Sequence, residues 1–176
     1  MASCYSASIV TDCSWQNYRD TGRSTGAYII FYQGGTIDHD THVTKPVSKS
    51  SVESEYNAAC TAGIYLAHFR MLIHELLSMD PDIVPEEVPL IILDSKSAVC
   101  ISNNGKDNKN TRHIAKIIHL VRNCEKCKIH NIDWCEGGLQ LAEISTKNVG
   151  DNDLNPRMRY IMVRIYNLEI ILVQEG

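Results

Sequence analysis

The alternation of apolar and polar positions divides the first third of the chain into three segments that favour β-strands. Residues 6–10 have the size and side-chain content of a short strand, and residues 27–33 are rich in strand-forming side chains. The polar residues 17–26 between them predict a turn, and the glycine pair at 34–35 predicts a hairpin. Residues 36–47 form a weaker third strand. This region therefore predicts three consecutive antiparallel strands.

A long helix is predicted to begin at Ser50. Ser50 and Glu53 have the spacing of a capping box, in which a serine hydroxyl and a glutamate carboxylate bind free backbone N–H groups of the first turn. Apolar residues then recur with helical periodicity. They are Ala59, Ala62, Leu66, Phe69, Ile73, Leu76 and Leu77. The pattern gives this helix one apolar face along its length.

The second half of the chain alternates strand and helix patterns. The continuous apolar run at 90–93 is typical of a buried central strand, and residues 128–135 predict the last strand. Helices are predicted over residues 95–101, 111–122, 139–146 and 156–172. Three antiparallel strands followed by strand–helix units predict an α/β fold, a five-stranded mixed sheet with helices on both faces.

Length and composition narrow the class of protein. A chain of 176 residues suits a single domain, with a core at about residues 4–150 and a C-terminal helix at about 155–173. No apolar run approaches the roughly 20 residues that span a bilayer, so we expect no membrane partner. The seven cysteines are odd in number and mostly scattered, which favours free thiols in a reducing, intracellular compartment.

The charge is unevenly distributed along the chain. The formal net charge is −4, but cations concentrate between residues 105 and 128. They are Lys106, Lys109, Arg112, Lys116, Arg122, Lys126 and Lys128. A basic stripe in an acidic protein is a candidate phosphate-binding face, although a solvated helix face gives the same pattern. We assign substrate binding to its first four members, Lys106, Lys109, Arg112 and Lys116, called here the basic segment.

Four acidic residues lie where the predicted sheet can bring them together. Asp12 is predicted at the end of the first strand and Asp94 at the end of the buried strand, while Glu55 and Glu143 lie in predicted helices. Carboxylates are the ligands that Mg²⁺ prefers, and two such ions roughly 4 Å apart can hydrolyse a phosphodiester. Each acid alone also fits a solvated or capping role, and the capping box accounts for Glu53.

A zinc site is an alternative in the region after residue 118. Histidine and cysteine cluster there, with the two-residue spacing of a zinc knuckle between Cys124 and Cys127. The other candidate ligands are His119, His130 and Cys135. No second pair has that spacing, and alternation along a strand directs His130 and Cys135 to opposite faces. Thiols and histidines at a helix-to-strand turn explain the same residues.

Six short motifs follow one another between about residues 10 and 150. They are TDCSW at 11–15, RSTGAY at 23–28, SSVESEY at 50–56, DSKSA at 94–98, TRHI at 111–114 and LAEISTK at 141–147. Together they resemble the RNase H domain of copia-type retrotransposon Pol polyproteins. The resemblance implies an RNase H-like fold. It also implies hydrolysis of the RNA strand of RNA/DNA hybrids during reverse transcription, with two Mg²⁺ or Mn²⁺ ions.

The resemblance also assigns roles to residues. Asp12, Glu55, Asp94 and Glu143 match the metal-binding catalytic acids, so the motif selects Glu55 rather than Glu53. A reverse transcriptase domain of the same polyprotein is the implied partner, and cytoplasmic retroelement particles are the implied location. The chain departs from the family at Glu143, where aspartate is usual. Residues 38–42 lack the family's tryptophan and paired lysines, and residues 135–140 contain no histidine.

Two alternatives keep the fold and change the function. RNase H folds with a damaged acid set can serve as structural or nucleic-acid-binding domains, and the substitution at Glu143 keeps that interpretation open. An integrase-like enzyme that cleaves DNA is the other. That group usually has three acids with glutamate last, and it resembles this chain less.

Overall fold

A five-stranded mixed sheet forms the centre of the molecule in the computed structural model, which describes residues 7–33, 35–77, 88–103 and 109–147. The strands are β1 (Ala7–Tyr18), β2 (Arg23–Tyr32), β3 (Gly35–Val43), β4 (Leu90–Leu93) and β5 (Asn131–Trp134). Their order across the sheet is β3-β2-β1-β4-β5. β1 runs antiparallel to β2 and parallel to β4. The predicted mixed sheet is confirmed, with β1 at its centre.

The first strand is longer than the sequence predicted. β1 continues to Tyr18 because its polar second half stays paired with β2, through Ser14↔Thr25 and Tyr18↔Arg23. The prediction that Asp12 ends the strand is therefore wrong, since Asp12 lies in the middle of β1 and pairs with Ala27. The predicted turn at 17–26 shrinks to residues 19–22, where Gly22 has a φ of +66°.

Helices follow the predicted order with shifted boundaries. They are α1 (Ser51–Leu77), α2 (Lys96–Asn103), α3 (Ala115–Lys126) and α4 (Glu143–Thr146). Two 3₁₀ helices are also present. Lys109–Ile114 replaces the first turn of the helix predicted at 111–122, and Gly137–Leu139 precedes the helix predicted at 139–146, which begins only at Glu143. Lys128 has a φ of +54°, which is not a strand conformation, so β5 begins at Asn131 and not at residue 128 as predicted. None of the described helices is both long and apolar enough to cross a bilayer.

Other sequence predictions fall outside the described residues. The predicted C-terminal helix at 156–172 is one of them. The assignment of residues 1–176 to a single domain stays a prediction.

The sheet carries apolar clusters on both faces. Alternation along β1 turns Ile9 toward α1 and Val10 toward the opposite face. The larger cluster joins β1, β2, β4 and β5 to α1, α2 and α3, with Leu66, Ile91 and Leu93 fully buried. The smaller cluster packs Val10, Ile29 and Phe31 against Leu141 and Ala142, directly before α4. Helical segments thus cover both faces of the sheet, as predicted.

The start of α1 is held by a modified capping box. The backbone N–H of Glu53 donates to Oγ of Ser50 at 3.2 Å, as the sequence predicted. The carboxylate of Glu53 reaches one residue further back than expected and accepts from the backbone N–H of Lys49 at 2.7 Å. These bonds fix the first turn of α1, which carries Glu55 one helical turn from its start.

Candidate metal centre

Three of the four predicted acids converge on one pocket. Oxygen atoms of Asp12, Glu55 and Asp94 all lie within 4.8 Å of one another. Val10 of β1 pairs with Ile92 of the parallel strand β4, so Asp12 and Asp94 each lie two residues beyond that pair. Glu55 reaches the same place from α1. We call these three residues the acid pocket.

Asp12 is the most buried member of the acid pocket, with a relative exposure of 0%. Its Oδ2 accepts a hydrogen bond from the hydroxyl of Thr146 in α4. Its Oδ1 is buried and has no hydrogen-bond partner among the described residues, and the same holds for Oε2 of Glu55. A buried carboxylate oxygen without a donor is costly, and a bound cation would satisfy both atoms.

Burial and mutual repulsion raise the pKa of two carboxyl groups in the acid pocket. Burial, followed by the charges of Asp12 and Asp94, raises the pKa of Glu55 to about 9, against opposing contributions from Lys147 and the backbone of Cys13. Burial and the charge of Asp12 also raise the pKa of Asp94. Divalent cations reverse such shifts by stabilising the ionised carboxylates. The donor set of hard oxygens therefore fits Mg²⁺ or Mn²⁺.

Glu143 lies beside the acid pocket and outside the group of three. It is the first residue of α4, and its Oε1 accepts from Nζ of Lys147 at 3.0 Å. Its charge helps to raise the pKa of Asp94, after larger effects of burial, Asp12 and Lys147. The structure thus brings three predicted acids together and places the fourth next to them, paired with a lysine one turn later.

Several side chains that hold this arrangement were not predicted. Gln140 is fully buried, and its Nε2 donates to the carbonyl oxygen of Thr11 at 2.9 Å, which ties the loop before α4 to β1. Nδ2 of Asn17 donates to the carbonyl oxygen of Thr146 at 3.1 Å. Thr146 and Lys147 belong to the LAEISTK motif, and their spacing of three and four residues from Glu143 was the available signal. No comparable signal in the sequence marked Gln140 or Asn17.

A tryptophan holds the outer side of the acid pocket. The indole Nε1 of Trp134, at the end of β5, donates to the carbonyl oxygen of Asp94 at 2.9 Å. Nζ of Lys96 lies 4.2 Å from the centroid of the Trp134 ring, a cation–π distance. Trp134 therefore fixes the backbone that presents the Asp94 carboxylate.

The basic segment is described only in part. Lys106 lies outside the described residues, and Lys109 begins a 3₁₀ helix without a described side chain. Arg112 and Lys116 are both exposed, as phosphate-binding side chains must be. The segment is joined to α1 at His113, whose Nε2 lies 3.0 Å from Oε2 of Glu53.

The zinc alternative does not gain support from the described residues. Among the described residues, three or more histidine, cysteine or acidic side chains bring their ligand atoms together only in the acid pocket. Cys124, Cys127 and His130 do not form such a group there. Burial raises the pKa of the Cys124 thiol, which disfavours the thiolate that zinc requires.

Sequence comparison relates the chain to transposon polyproteins, although no family model matches it. It is 28% identical over 145 residues to the retrovirus-related Pol polyprotein from transposon TNT 1-94 of Nicotiana tabacum, covering 81% of this chain and 10% of that protein. For the Pol polyprotein from transposon RE2 of Arabidopsis thaliana, identity is 27% over 137 residues, covering 78% and 9%. The chain thus spans about a tenth of the length of the curated relatives it matches.

Solved structures share the fold at low sequence identity. The N-terminal RNase H domain of a Mycobacterium tuberculosis protein, solved as a fusion with maltose-binding protein, superposes with a TM-score of 0.55 at 9% identity, covering 88% of this chain and 97% of that one. RNase H1 of Halobacterium salinarum gives a TM-score of 0.54 at 11% identity, covering 86% and 98%. The chain therefore has an RNase H-like fold and is similar in sequence to the retrovirus-related Pol polyproteins of plant transposons, as its motifs indicated.

Proposed function

We propose that this domain is a ribonuclease H, which hydrolyses the RNA strand of RNA/DNA hybrids with two divalent metal ions, Mg²⁺ or Mn²⁺. The observation that carries the proposal is the convergence of Asp12, Glu55 and Asp94 from three separate elements. Two of their buried oxygens have no partner among the described residues. Carboxylates so placed destabilise a metal-free protein, which argues for a cation-binding role over a structural one.

Each acid has a distinct position in the proposed reaction. Asp12, Glu55 and Asp94 would hold the ions, with Asp12 between the other two because it lies on the central strand, and Glu143 would complete the ligand set. Bound there, the ions supply an activated water and stabilise the charge that develops on the leaving 3′ oxygen. Thr146 keeps Asp12 in place through its hydroxyl. Lys147 places a positive charge beside the acid pocket and holds Glu143.

The proposed substrate is recognised through its backbone and its 2′-hydroxyl groups. The basic segment (Lys106, Lys109, Arg112 and Lys116) would bind phosphates without reading sequence. Binding should therefore weaken as salt concentration rises. The relatives are Pol polyproteins, so we propose that the domain acts with a reverse transcriptase domain of the same polyprotein, in cytoplasmic retroelement particles.

Cleavage of a hybrid duplex by wild type and Asp94→Asn in Mg²⁺ tests the proposal. We expect wild type to cut the RNA strand and Asp94→Asn to lose activity by about a hundredfold or more, because the amide keeps the shape of the side chain and removes the negative charge that would hold a divalent ion. Asp20→Asn is the matched control. Asp20 is an exposed acid in the turn between β1 and β2, and its removal should leave the rate unchanged. Equal activity of wild type and Asp94→Asn would refute the assignment.

A structural or nucleic-acid-binding domain without catalysis is the second candidate. The observation in its favour is Glu143, which is paired with Lys147 outside the group of three acids. Titration calorimetry with Mg²⁺ and Mn²⁺ separates the two functions. Binding at millimolar concentrations or below supports the nuclease, and no binding supports the structural role.

A further inference from the structure

A buried carboxylate outside the acid pocket is bound to a histidine that is distant in sequence. Oε2 of Glu53 lies 3.0 Å from Nε2 of His113, 60 residues away. The Glu53 side chain is 11% exposed and that of His113 is 34% exposed, so the contact is partly shielded from water. The proposed metal chemistry uses neither residue. We call this contact the His113–Glu53 bridge.

The glutamate end of the bridge belongs to the first turn of α1. Glu53 is fixed there by its backbone bond to Ser50 and by the N–H of Lys49, which donates to the same carboxylate oxygen that His113 contacts. Glu55 of the acid pocket lies two residues further along this helix. The position of Glu53 is therefore tied to the position of a candidate metal ligand.

The histidine end of the bridge belongs to the basic segment. His113 lies in the 3₁₀ helix Lys109–Ile114, directly after Arg112 and three residues before Lys116. Ile114, its other neighbour, is buried in the larger apolar cluster. Burial of an apolar side chain is non-directional, whereas a hydrogen bond to a fixed carboxylate has a defined direction.

We infer that His113 is a positioning residue: through its bond to Glu53 it sets the distance between the side chains of Arg112 and Lys116, which would bind phosphates, and the acid pocket. This inference rests on the proposed function. Loss of the bridge leaves the acids unchanged and lets Arg112 and Lys116 move away from the backbone phosphates of a duplex that lies over the acids. Binding of the hybrid is then weakened, while the ions still bind as before.

A merely structural bridge predicts a different result. It would lower the melting temperature and the fraction of folded enzyme, with KM for the hybrid unchanged. The two roles are therefore distinguished by measuring KM, kcat and metal affinity on the same variants, at a temperature at which all of them are folded.

The experiment compares His113→Ala and His113→Gln with wild type, and His68→Ala is the control because His68 is an exposed histidine further along α1. For His113→Ala we expect KM to rise about fivefold to tenfold, the size of one lost hydrogen bond, with kcat within about twofold. Mn²⁺ affinity by calorimetry should not change. His113→Gln keeps a side-chain N–H and should recover part of the loss, and His68→Ala should match wild type.

A second measurement ties the effect to Glu53. In Glu53→Ala, the further change His113→Ala should have no additional effect on KM, because the bridge is already absent. Unchanged KM in His113→Ala, or equal losses in both backgrounds, overturns the inference and leaves the proposed function intact. Failure of the proposed function is distinguishable, since wild type itself would then not cut the hybrid.

Discussion

The hydroxyl of Thr146 donates a hydrogen bond to Oδ2 of Asp12, which joins the last described helix to the middle of the central strand. The two residues are 134 positions apart, and both are buried. Oδ2 of Asp12 thus has its donor, while Oδ1 is the oxygen without a hydrogen-bond partner among the described residues. Thr146 therefore decides which oxygen of Asp12 is available to a cation.

Replacing Thr146 by valine keeps the shape of the side chain and removes the donor. We expect Thr146→Val to lower the free energy of unfolding by about 1–2 kcal/mol, the cost of leaving a buried acceptor without its partner. We also expect weaker Mg²⁺ binding, because the Asp12 carboxylate is free to rotate. Urea denaturation and titration calorimetry measure the two effects.

Thr61→Val is the matched control for this prediction. Thr61 donates to the carbonyl oxygen of Asn57 within α1, at 3.0 Å, and lies away from the acid pocket. Its loss should leave Mg²⁺ affinity unchanged. Equal Mg²⁺ affinity in Thr146→Val and wild type would show that Asp12 needs no support from α4.

The stability of the metal-free protein should fall as pH rises. The pKa of Glu55 is raised from 4.5 to about 9 in the folded chain, so between these values the folded protein holds a proton that the unfolded chain has lost. Stability then decreases with pH by up to about 1.4 kcal/mol per unit. The raised pKa of Asp94 acts in the same direction.

Urea denaturation in EDTA between pH 7 and 9 measures this slope above the range in which His130, whose pKa burial lowers, takes up a proton. Glu55→Gln should flatten the dependence, and saturating Mg²⁺ should also remove it, because the cation replaces the proton. Glu136→Gln, at an exposed acid, should keep the wild-type slope. A metal-free stability that rises toward pH 9 would contradict the pKa assigned to Glu55.

The fourth acid should affect the second ion more than the first. Glu143 lies outside the group of three, so Glu143→Gln should leave one Mn²⁺ site intact and weaken the other by about tenfold or more. The lost ion pair with Lys147 is partly exposed and should cost less than about 1 kcal/mol of stability. Calorimetry with Mn²⁺ gives both stoichiometry and affinity.

Glu143→Asp is the comparison for this prediction, because it keeps the carboxylate and shortens its reach by one methylene. It should retain two sites. Two Mn²⁺ ions bound with unchanged affinity in Glu143→Gln would remove Glu143 from the ligand set.

A glycine in α1 should not tolerate a methyl group. A Cβ at Gly63 would lie 3.1 Å from Nε2 of His130 and 3.3 Å from Cδ1 of Ile91, both of them buried. Helix propensity favours alanine by about 1 kcal/mol, but overpacking of this kind costs typically 1–3 kcal/mol. Because both neighbours are buried side chains, we expect Gly63→Ala to destabilise the protein in urea denaturation.

Gly138→Ala serves as the control, since nothing lies within 4 Å of a Cβ at that position. It should be neutral within about 0.5 kcal/mol. A Gly63→Ala variant as stable as wild type would mean that His130 is less tightly held than its burial indicates.

The residues of the acid pocket were predicted from the sequence, and the buried polar side chains that hold them in place were not. Asp12 and Asp94 could be placed together because each follows an apolar run and was predicted at a strand end, although Asp12 lies inside β1 in the structure. Glu55 followed from the motif, since periodicity alone does not separate it from Glu53. Gln140 and Thr146 were missed because a buried polar residue is recognised by its partners, and those lie more than a hundred positions away.

The extent of β1 was missed for a related reason. Ser14, Gln16 and Asn17 are polar and favour a turn when considered alone. In the structure β1 pairs with the equally polar start of β2, so that stretch remains a strand. Pairing between segments is not visible in the local pattern of either one, which is why the strand ends were predicted less well than the strand order.

Because Asp12 lies inside a paired strand, the face of the sheet to which its side chain points is set by the two-residue alternation of the strand. Val10 and Asp12 share one face of the sheet because they are two residues apart, and Cys13 and Thr11 share the other. An insertion or deletion of a single residue between Ala7 and Asp12 would present a thiol or a hydroxyl to α4 in place of the carboxylate. Homologous chains can therefore vary in loop length around this site, while length changes within the strand are acceptable only in multiples of two.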